Sequence, residues 1–487
     1  MGCTISTKYR KKIDENFISN VDEIKVDPGI FINENKKKFQ DVYRIGSYLG
    51  SESRGEVKTC FHRETGQKRA VKILKKDLMG SESEKTLLLR EISILKSLDH
   101  PSIIRTFEFF EDIKRFYLVM EYCSGGDLFT EILKRQSFSE ADAAKIFYQI
   151  LSAVSYLHSN GVIHCLLSPE NILLEEKRDS LHIKIINFGS AILNTEKLSY
   201  LPINGKAYYM APEMYDGICT EKSDMWSCGI ILYILLCGHP PFDGDNDEEI
   251  ISLAKRLRVS MEGRLWEKIS SASKELIEKL ICSPNSRISA SASLKNAWFD
   301  AKLQKTIGKC HIIEAMQNLK EFHAPNKLKD AIVMFVTSQY TSLKETKELS
   351  EIFLSLDKNG DGRISKEELL EAYKNNMGEC DENEVIRIMK EVDSDNSGYI
   401  DYTEFLKANI DTNKLLSDQN LKIAFSLFDS DCSGKISADE LKKVFQGEKT
   451  SDDSVWMEVV KSIDINGDGE IDLEEFKALV NLNLKCF

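Results

Sequence analysis

One acidic segment recurs four times in the C-terminal third of the chain and constrains its fold more than any other feature. The copies begin at Asp357, Asp393, Asp429 and Asp464, at successive offsets of 36, 36 and 35 residues. Each copy carries Gly at its sixth position, Ile at its eighth and Glu at its twelfth. A fixed period with constant content indicates a repeated structural unit. An acidic, solvated stretch would not place Gly and Glu correctly four times.

The oxygen-bearing side chains of each copy have the spacing that a calcium ion requires. Ca²⁺ takes about six to eight oxygens, and a twelve-residue loop supplies them from positions 1, 3 and 5, the carbonyl of position 7 and a bidentate Glu at position 12. This pattern resembles the EF-hand loop, and the shared Ile predicts that the loops join in pairs through a short strand. The predicted ligands are Asp357, Asn359, Asp361, Arg363 and Glu368; Asp393, Asp395, Ser397, Tyr399 and Glu404; Asp429, Asp431, Ser433, Lys435 and Glu440; and Asp464, Asn466, Asp468, Glu470 and Glu475.

Ligand charge distinguishes the four loops from one another. The acidic residues at positions 1, 3, 5, 9 and 12 number three, four, three and four along the chain. Because ligand charge is one determinant of calcium affinity, we expect the second and fourth loops to bind Ca²⁺ more tightly.

A glycine-rich segment and a lysine-bearing strand mark a separate region upstream. Leu49 to Val57 reads L-G-S-E-S-R-G-E-V, and Ala70-Val71-Lys72 follows. Both resemble protein kinase motifs, in which this Lys reaches the nucleotide phosphates and pairs with a helical Glu. Glu52 replaces the middle Gly, where a carboxylate would crowd and repel phosphates. The implied nucleotide-site residues are Leu49, Gly50, Gly55, Val57, Ala70, Lys72, Glu91, Met120, Glu121, Asn171 and Leu173. A solvated pair is the alternative for Lys72 and Glu91.

Two later segments keep the shape of the kinase catalytic motifs and lose their chemistry. Val162 to Leu174 and Ile185 to Gly189 resemble the H-R-D-L-K-P-E-N and D-F-G motifs. In that family the loop Asp accepts the substrate hydroxyl proton, and the Asp of D-F-G holds Mg²⁺. Asn171 keeps a metal-facing position. The degenerate positions are Leu166 for the catalytic Asp, Ser168 for the catalytic Lys, Asn187 for the metal-binding Asp and Lys206 for the Thr of the activation segment, with Cys165 in place of the Arg beside the Asp.

The residues that hold a kinase fold together remain in the sequence. Ala211-Pro212-Glu213 closes the activation segment, and Arg287 lies in S-R-I-S. The resemblance implies that Glu213 and Arg287 form a buried ion pair. This contrast with the catalytic positions argues against general decay of the sequence and predicts a kinase shell without phosphotransfer.

The start of the chain fits a lipidation signal. Gly2 and Ser6 match M-G-x-x-x-[S/T], which is typical of myristoylation, and Cys3 is placed for palmitoylation. One acyl chain binds membranes only marginally, so Cys3 and the basic run of residues 8–12 serve as candidate second signals. An ordinary start with a solvated basic run is the alternative. We expect anchoring to the cytoplasmic face of a membrane, the plasma membrane in particular.

The order of the parts points to a family. A kinase-like region, a junction and four EF-hands behind a lipidated start resemble the calcium-dependent protein kinases of plants and apicomplexan parasites. The predicted fold is α+β, a bilobal kinase fold followed by an all-α calmodulin-like domain. The predicted divisions are 1–42, a lipidated and mostly flexible segment; 43–299, the kinase-like domain; 300–345, an autoinhibitory junction; and 346–487, the four EF-hands.

The junction contains two apolar stretches separated by Pro325. Ile312, Ile313, Met316 and Leu319 give the first stretch a helical apolar face. In the family such a segment blocks the kinase until Ca²⁺ moves it, whereas a plain linker helix is the alternative. The second stretch, residues 328–340, could fill the groove that sensor EF-hands open on binding Ca²⁺.

Composition narrows the classes of partner. The 487 residues carry a net charge of −13, which argues against nucleic acid as the main partner. Twelve Cys without regular spacing predict core positions in a reducing compartment.

Three functions are compatible with the sequence. The leading hypothesis is a membrane-anchored, Ca²⁺-responsive pseudokinase that binds or regulates an unidentified protein and carries four Ca²⁺ sites. The second is a weakly active Ser/Thr kinase that uses ATP and Mg²⁺. Glu52 and Asn187 argue against the binding of this nucleotide and this metal. The third is a membrane-anchored Ca²⁺ buffer.

Overall fold

The computed structural model describes most of the chain beyond its first 34 residues. The described residues are 35, 37–52, 55–78, 82–176, 181–194, 207–303, 308–323, 327–341, 343–378, 381–411, 415–431, 433–446 and 453–481. The predicted lipidation sites Gly2 and Cys3 and the degenerate position Lys206 lie outside these ranges.

The small lobe is an antiparallel five-stranded sheet with the order β1-β2-β3-β5-β4. β3 is buried from Arg69 to Leu74, and the buried residues include the charged Arg69 and Lys72. Gly55 lies so close to this strand that a Cβ atom would approach the carbonyl oxygen of Ile73 to 2.0 Å. The elements are α1 (Phe39–Val42), β1 (Tyr43–Glu52), β2 (Gly55–His62), β3 (Lys68–Lys75), α2 (Glu82–Lys96), β4 (Thr106–Glu111) and β5 (Arg115–Met120).

The end of the predicted flexible lead-in belongs to this lobe. Phe39 is buried and stacks on Tyr43 and Tyr117, with centroid distances of 5.4 and 4.5 Å. Aromatic burial of this kind therefore orders the chain from α1 onward, a few residues before the boundary expected at residue 43.

The large lobe is helical and surrounds α5, which is buried from Ser223 to Cys237. Ser223 and Thr220 form a capping box at its start, and Gly238 ends it with φ +84°. The elements are β6 (Gly126–Asp127), α3 (Leu128–Arg135), α4 (Glu140–Ser159), β7 (Val162–Ile163), β8 (Ile172–Leu174), β9 (Ile183–Ile185), β10 (Ile192–Leu193), α5 (Glu221–Cys237), α6 (Asp247–Lys255), α7 (Ser271–Leu280), α8 (Ala290–Leu294) and α9 (Ala297–Lys302).

Two junction helices and four helix–loop–helix units complete the chain. Bridges between Ile364 and Ile400, and between Ile436 and Ile471, join the loops in two pairs, as the shared Ile predicts. The elements are α10 (Lys309–Glu321), α11 (Lys327–Tyr340), α12 (Leu343–Leu356), α13 (Lys366–Met377), α14 (Glu382–Val392), α15 (Tyr402–Asn409), α16 (Asp418–Phe428), β11 (Lys435–Ile436), α17 (Ala438–Gln446), α18 (Asp453–Ile463), β12 (Ile471–Asp472) and α19 (Leu473–Asn481). Among the described helices, none combines the length and the apolar character needed to cross a membrane. The predicted α+β fold class is confirmed.

An ion pair anchors the end of the activation segment to the large lobe. Arg287 is 1% exposed, and its Nη1 lies 2.5 Å from Glu213 Oε1. The same guanidinium also donates to the carbonyl oxygens of Lys222 and Cys282 and lies over the Trp226 ring. Because the buried charge is fully paired and hydrogen-bonded, removal of either partner leaves the other uncompensated.

We expect Arg287→Met to lower the free energy of unfolding by about 3–5 kcal/mol, because Glu213 then loses its buried cation. Chemical denaturation followed by tryptophan fluorescence measures the change. The matched control is Lys255→Met, which breaks the exposed pair with Asp216 and should cost less than about 1 kcal/mol. Equal losses in the two variants would show that the buried pair does not hold the lobe together.

Candidate functional site

The four predicted calcium loops share one backbone arrangement. The first Asp of each loop accepts a hydrogen bond from the amide of the Gly at position 6. The donors are Gly362, Gly398, Gly434 and Gly469, at 2.8, 2.8, 2.9 and 2.7 Å. These glycines have φ from +77° to +88°, a region that Gly enters without strain. The first Asp of each loop is therefore oriented by the backbone before any ion arrives.

The Glu at position 12 of each loop folds back toward position 1. Its Oε1 accepts from the amide of position 2 at 3.0, 2.6, 2.8 and 2.8 Å in the four loops. In two loops the carboxylate oxygens converge within 4.8 Å of one another. These clusters are Asp393, Asp395 and Glu404, and Asp429, Asp431 and Glu440. Convergent carboxylates suit a hard cation, so both sets fit Ca²⁺.

Hydrogen bonds within the loops also order the middle positions. Asn359 donates to Asp361 at 2.9 Å in the first loop, and Asn466 accepts from the Asp468 amide at 2.9 Å in the fourth. The hydroxyls of Ser397 and Ser433 donate to the carbonyls at position 7, those of Tyr399 and Lys435.

One contact between loops bears on the expected order of affinities. Lys435 Nζ of the third loop lies 2.8 Å from Asp468 Oδ2 and 3.7 Å from Glu470 Oε2 of the fourth. The sequence count of acids treats the loops separately and therefore misses this cation. Since Lys435 competes with Ca²⁺ for the Asp468 carboxylate, it weakens the argument for tight binding in the fourth loop.

Burial and mutual repulsion disfavour the charged carboxylates in the first two loops. Burial raises the pKa of Asp357 to about 7 and that of Glu404 to about 8. Asp401, at position 9 of the second loop, has a pKa well above its usual value because it is partly shielded from solvent and lies near Glu404 and Asp99. A divalent cation relieves both penalties, which is a second reason that these residues fit Ca²⁺.

The first calcium loop packs directly against the kinase-like domain. A Cβ atom on Gly362 would lie 2.2 Å from the Tyr156 ring, and one on Gly360 would lie 2.1 Å from Leu294. Arg363 extends from the same loop and donates to Asn160 Oδ1 at 3.0 Å. A larger residue at Gly362 would therefore clash with the Tyr156 side chain on the kinase surface.

The second calcium loop contacts the kinase-like domain through the start of α15. The Thr403 amide donates to Asp99 Oδ2 at 2.7 Å, so a kinase-side carboxylate caps the helix that follows the loop. Sequence reasoning missed Asp99, because nothing in its local pattern indicates a partner 304 residues away.

Both junction helices lie in the apolar cores of the EF-hand pairs. Met316 and Leu319 of α10 are fully buried in the first pair, where Tyr373 donates to the Met316 carbonyl at 2.6 Å. Met334 and Phe335 of α11 are buried in the second pair. Residues 331–336 and Tyr340 of the second apolar stretch lie in this core, and its binding to a groove that Ca²⁺ opens stays a prediction.

A buried charge pair connects α11 to the second calcium loop. Lys407 Nζ of α15 lies 2.7 Å from Asp330 Oδ1, and the two side chains are 0% and 2% exposed. Ser394, at position 2 of the calcium loop, contacts both groups through its hydroxyl. The junction helix and the calcium loop are therefore joined by polar contacts as well as by apolar packing.

The upper wall of the kinase-like cleft keeps its ion pair. Lys72 Nζ lies 2.9 Å from Glu91 Oε1, and both side chains are buried, so the solvated alternative is wrong. Ala70 and Met120 are register partners on β3 and β5. The Glu121 carboxylate accepts from Lys184 and from the Arg105 amide. Its side chain is therefore occupied, and its amide donates to the Arg105 carbonyl at 2.9 Å, so that only the Glu121 carbonyl remains for a nucleotide base.

The lower wall contains the degenerate positions. Asn187 has φ +70°, which Asn tolerates better than most residues, and its amide donates to Asn171 Oδ1 at 3.3 Å. Asn171 in turn donates to the Leu166 carbonyl at 2.8 Å, and Ser168 is fully buried. Both candidate Mg²⁺ ligands are neutral amides, so this donor set does not fit a tightly held Mg²⁺.

Other predicted nucleotide-site residues lie along the same cleft. Leu49 is 44% exposed, and Val57 is the register partner of Lys72. Leu173 lies on β8 opposite Lys184. A Cβ atom on Gly50 would meet no atom of the described residues within 4 Å. The structure thus brings these residues together in the kinase arrangement, and their use for nucleotide binding stays a prediction.

Comparisons with known proteins match both halves of the chain. A family described as "Protein kinase domain" matches residues 43–299, and one described as "EF-hand domain pair" matches residues 346–408 and 418–480. Calcium-dependent protein kinase 4 of Plasmodium berghei is 40% identical over 492 residues, 98% of this chain and 92% of that protein. The protein of the same name from Plasmodium falciparum is 40% identical over 491 residues, with the same coverage. Calcium-dependent protein kinase 5 of Plasmodium falciparum is 38% identical, over 91% of this chain and 78% of that protein.

We expect Glu368→Gln to reduce the number of Ca²⁺ ions bound per chain by one, because it removes a charged bidentate ligand from the first loop. Isothermal titration calorimetry counts the ions. Glu367→Gln is the matched control, since Glu367 is the exposed neighbour of the buried Glu368. An unchanged ion count in Glu368→Gln would remove the first loop from the set of Ca²⁺ sites.

Proposed function

The chain belongs to the calcium-dependent protein kinase family, and from that premise we propose that it is a Ca²⁺-responsive member whose kinase-shaped domain regulates another protein by binding. In this proposal the kinase-shaped domain transfers no phosphate. The EF-hand domains give the chain a calcium-binding half, and we propose that all four loops bind.

The observation that carries this proposal is a neutral catalytic centre in an intact frame. Leu166 cannot accept a proton, and general acid–base assistance alone is worth about 10²–10⁴ in rate. Ser168 and Asn187 each replace a charge that would act on the transferring phosphoryl group or its metal. The frame persists around them, since Lys72 pairs with Glu91 and Arg287 with Glu213.

The position of the junction helices supports a sensor rather than a buffer. Sensor EF-hands open an apolar groove on binding Ca²⁺, whereas buffer EF-hands barely open. The burial of Met316 and Phe335 within the EF-hand cores gives each pair a ligand helix from this chain. Ca²⁺ binding can therefore act on the junction, which connects directly to the kinase-shaped domain.

Phosphotransfer by the wild-type chain should stay at background in an assay with labelled ATP, Mg²⁺, Ca²⁺ and a generic Ser/Thr substrate. Typical kinases turn over at about 1–100 s⁻¹, so activity in that range would overturn the proposal. The triple variant Leu166→Asp, Ser168→Lys, Asn187→Asp tests the cause, because it restores the missing charges. Its activity should exceed that of the wild type if the frame is intact.

Asn187→Asp alone should increase the thermal shift that ATP with Mg²⁺ produces, because it adds the missing carboxylate to the metal site. A ligand at 100 times its dissociation constant stabilises by about 2.7 kcal/mol. Asn246→Asp is the matched control, since Asn246 caps α6 and Asp also serves as an N-cap. A full shift in the wild type would instead favour the second candidate function.

That second candidate is a slow Ser/Thr kinase, and the retained Lys72–Glu91 pair is the observation that favours it. The amide oxygens of Asn171 and Asn187 could coordinate Mg²⁺ weakly. This candidate predicts Ca²⁺-dependent phosphotransfer at a rate far below that of typical kinases. The variant Lys72→Met should abolish this activity. Activity that survives Lys72→Met would come from a contaminant and would support neither function.

We also propose that the chain is anchored to a membrane through acyl groups on Gly2 and Cys3, which lie outside the described residues. Gly2→Ala should move the protein from the membrane fraction to the soluble fraction of expressing cells, because myristoylation requires Gly2. Cys3→Ser should weaken retention, since one acyl chain binds only marginally. Unchanged membrane association in Gly2→Ala would overturn the anchor.

A further inference from the structure

Two thiols meet beside the catalytic loop. Cys165 Sγ lies 2.9 Å from Cys219 Sγ, although the residues are 54 positions apart in sequence. Cys165 is 2% exposed and Cys219 is partly exposed. The sequence predicts core cysteines without regular spacing, so this pair is formed by the tertiary structure alone.

The backbone at both cysteines is held in place. The Cys165 amide donates to Asp224 Oδ1 at 2.9 Å, and the residue has φ +65°. Cys219 directly precedes Thr220, which forms the capping box at the start of α5 with Ser223. Because Asp224 belongs to α5 as well, one helix positions both thiols. A disulfide requires a sulfur separation of about 2.05 Å, and a movement of about an ångström would provide it.

We propose that Cys165 and Cys219 form a reversible disulfide when the chain meets hydrogen peroxide. This bond would join the catalytic loop to the segment that connects the activation segment to α5. The site therefore takes a peroxide as oxidant and a small thiol as reductant. It requires neither Ca²⁺ nor nucleotide, so it is independent of the function proposed above.

The exposure of the two thiols assigns their roles. Cys219 attacks as the thiolate, one peroxide oxygen forms an S–O bond, and the O–O bond breaks to release hydroxide, which takes a proton to become water. Cys165 sulfur then attacks the Cys219 sulfenic sulfur, and the S–O bond breaks. The Cys165 proton leaves with that hydroxide as a second water. Two thiols and one peroxide thus give one disulfide and two waters.

The environment of Cys165 is consistent with the second step rather than the first. Its hydrogen bond with Cys219, together with burial, raises the pKa of the Cys165 thiol, so it stays protonated until its neighbour is oxidised. A buried, protonated thiol is a poor target for peroxide in solvent. Contact with the sulfenic acid of Cys219 supplies both proximity and a leaving group that accepts the proton.

The test uses the full chain, purified reduced, treated with one equivalent of hydrogen peroxide and then alkylated. Non-reducing digestion and mass spectrometry should find the peptide that links Cys165 to Cys219. The count of titratable thiols should fall by two, and the melting temperature should rise, because a cross-link restricts the unfolded chain. Dithiothreitol should reverse all three changes.

Variants separate this pair from general oxidation. Cys165→Ser and Cys219→Ser should each abolish the linked peptide and the rise in melting temperature. Cys282→Ser is the matched control and should retain both, because Cys282 is a partly exposed thiol that donates to the Lys279 carbonyl. If Cys165→Ser fails to fold, Cys219→Ser decides the question alone. Oxidation of Cys219 to sulfinic acid without a cross-link, or a cross-link that survives in Cys219→Ser, would overturn the proposal.

Discussion

The backbone of the catalytic loop depends on the hydrogen bonds that the Asp224 carboxylate accepts. This carboxylate is 1% exposed and accepts from the amides of His164 and Cys165, both at 2.9 Å, and lies 3.0 Å from His158 Nε2. These bonds come from the first turn of α5, where the helix dipole also favours a negative charge. They involve the backbone of the loop and not its catalytic side chains. The loop can therefore lose its Asp and Lys and still keep its backbone conformation.

The cleft shows the same contrast between retained structural residues and replaced catalytic residues. Lys72 still meets Glu91, and His164 packs edge-on against Phe188 at 5.0 Å. The charges of the catalytic Asp, the catalytic Lys and the metal-binding Asp are replaced by Leu166, Ser168 and Asn187, whereas charges that are paired within the protein remain. Removing one member of a buried pair is costly, while an unpaired catalytic Asp that faces a cleft has no such partner to lose. A protein that regulates by binding would keep the first kind of residue and could dispense with the second.

The calcium-binding half is attached to the kinase-shaped half through its ligand loops as well as through the junction. Tyr156 packs on Gly362, and Asp99 caps the helix that follows the second loop. Asp330 on the junction helix pairs with Lys407, beside the same loop. A conformational change in the first two loops on binding Ca²⁺ would therefore alter their contacts with both the kinase surface and the junction. Thermodynamic linkage requires the converse as well, so docking on the kinase surface would alter Ca²⁺ affinity.

The sequence by itself determined the fold class, the four EF-hand loops and the missing catalytic charges, because each depends on residue types at short, fixed spacings. A twelve-residue loop contains its own predicted ligands, so its sequence is enough to recognise it. A Leu at the position of a catalytic Asp has no group that accepts a proton, whatever the surrounding structure. Only the tertiary structure decided which distant groups meet. The Lys435–Asp468 contact between calcium loops, the Asp99 cap and the Cys165–Cys219 pair all join residues far apart in sequence. The sequence around each of these residues gives no sign of its partner, because a contact formed by tertiary packing produces no periodic pattern along the chain.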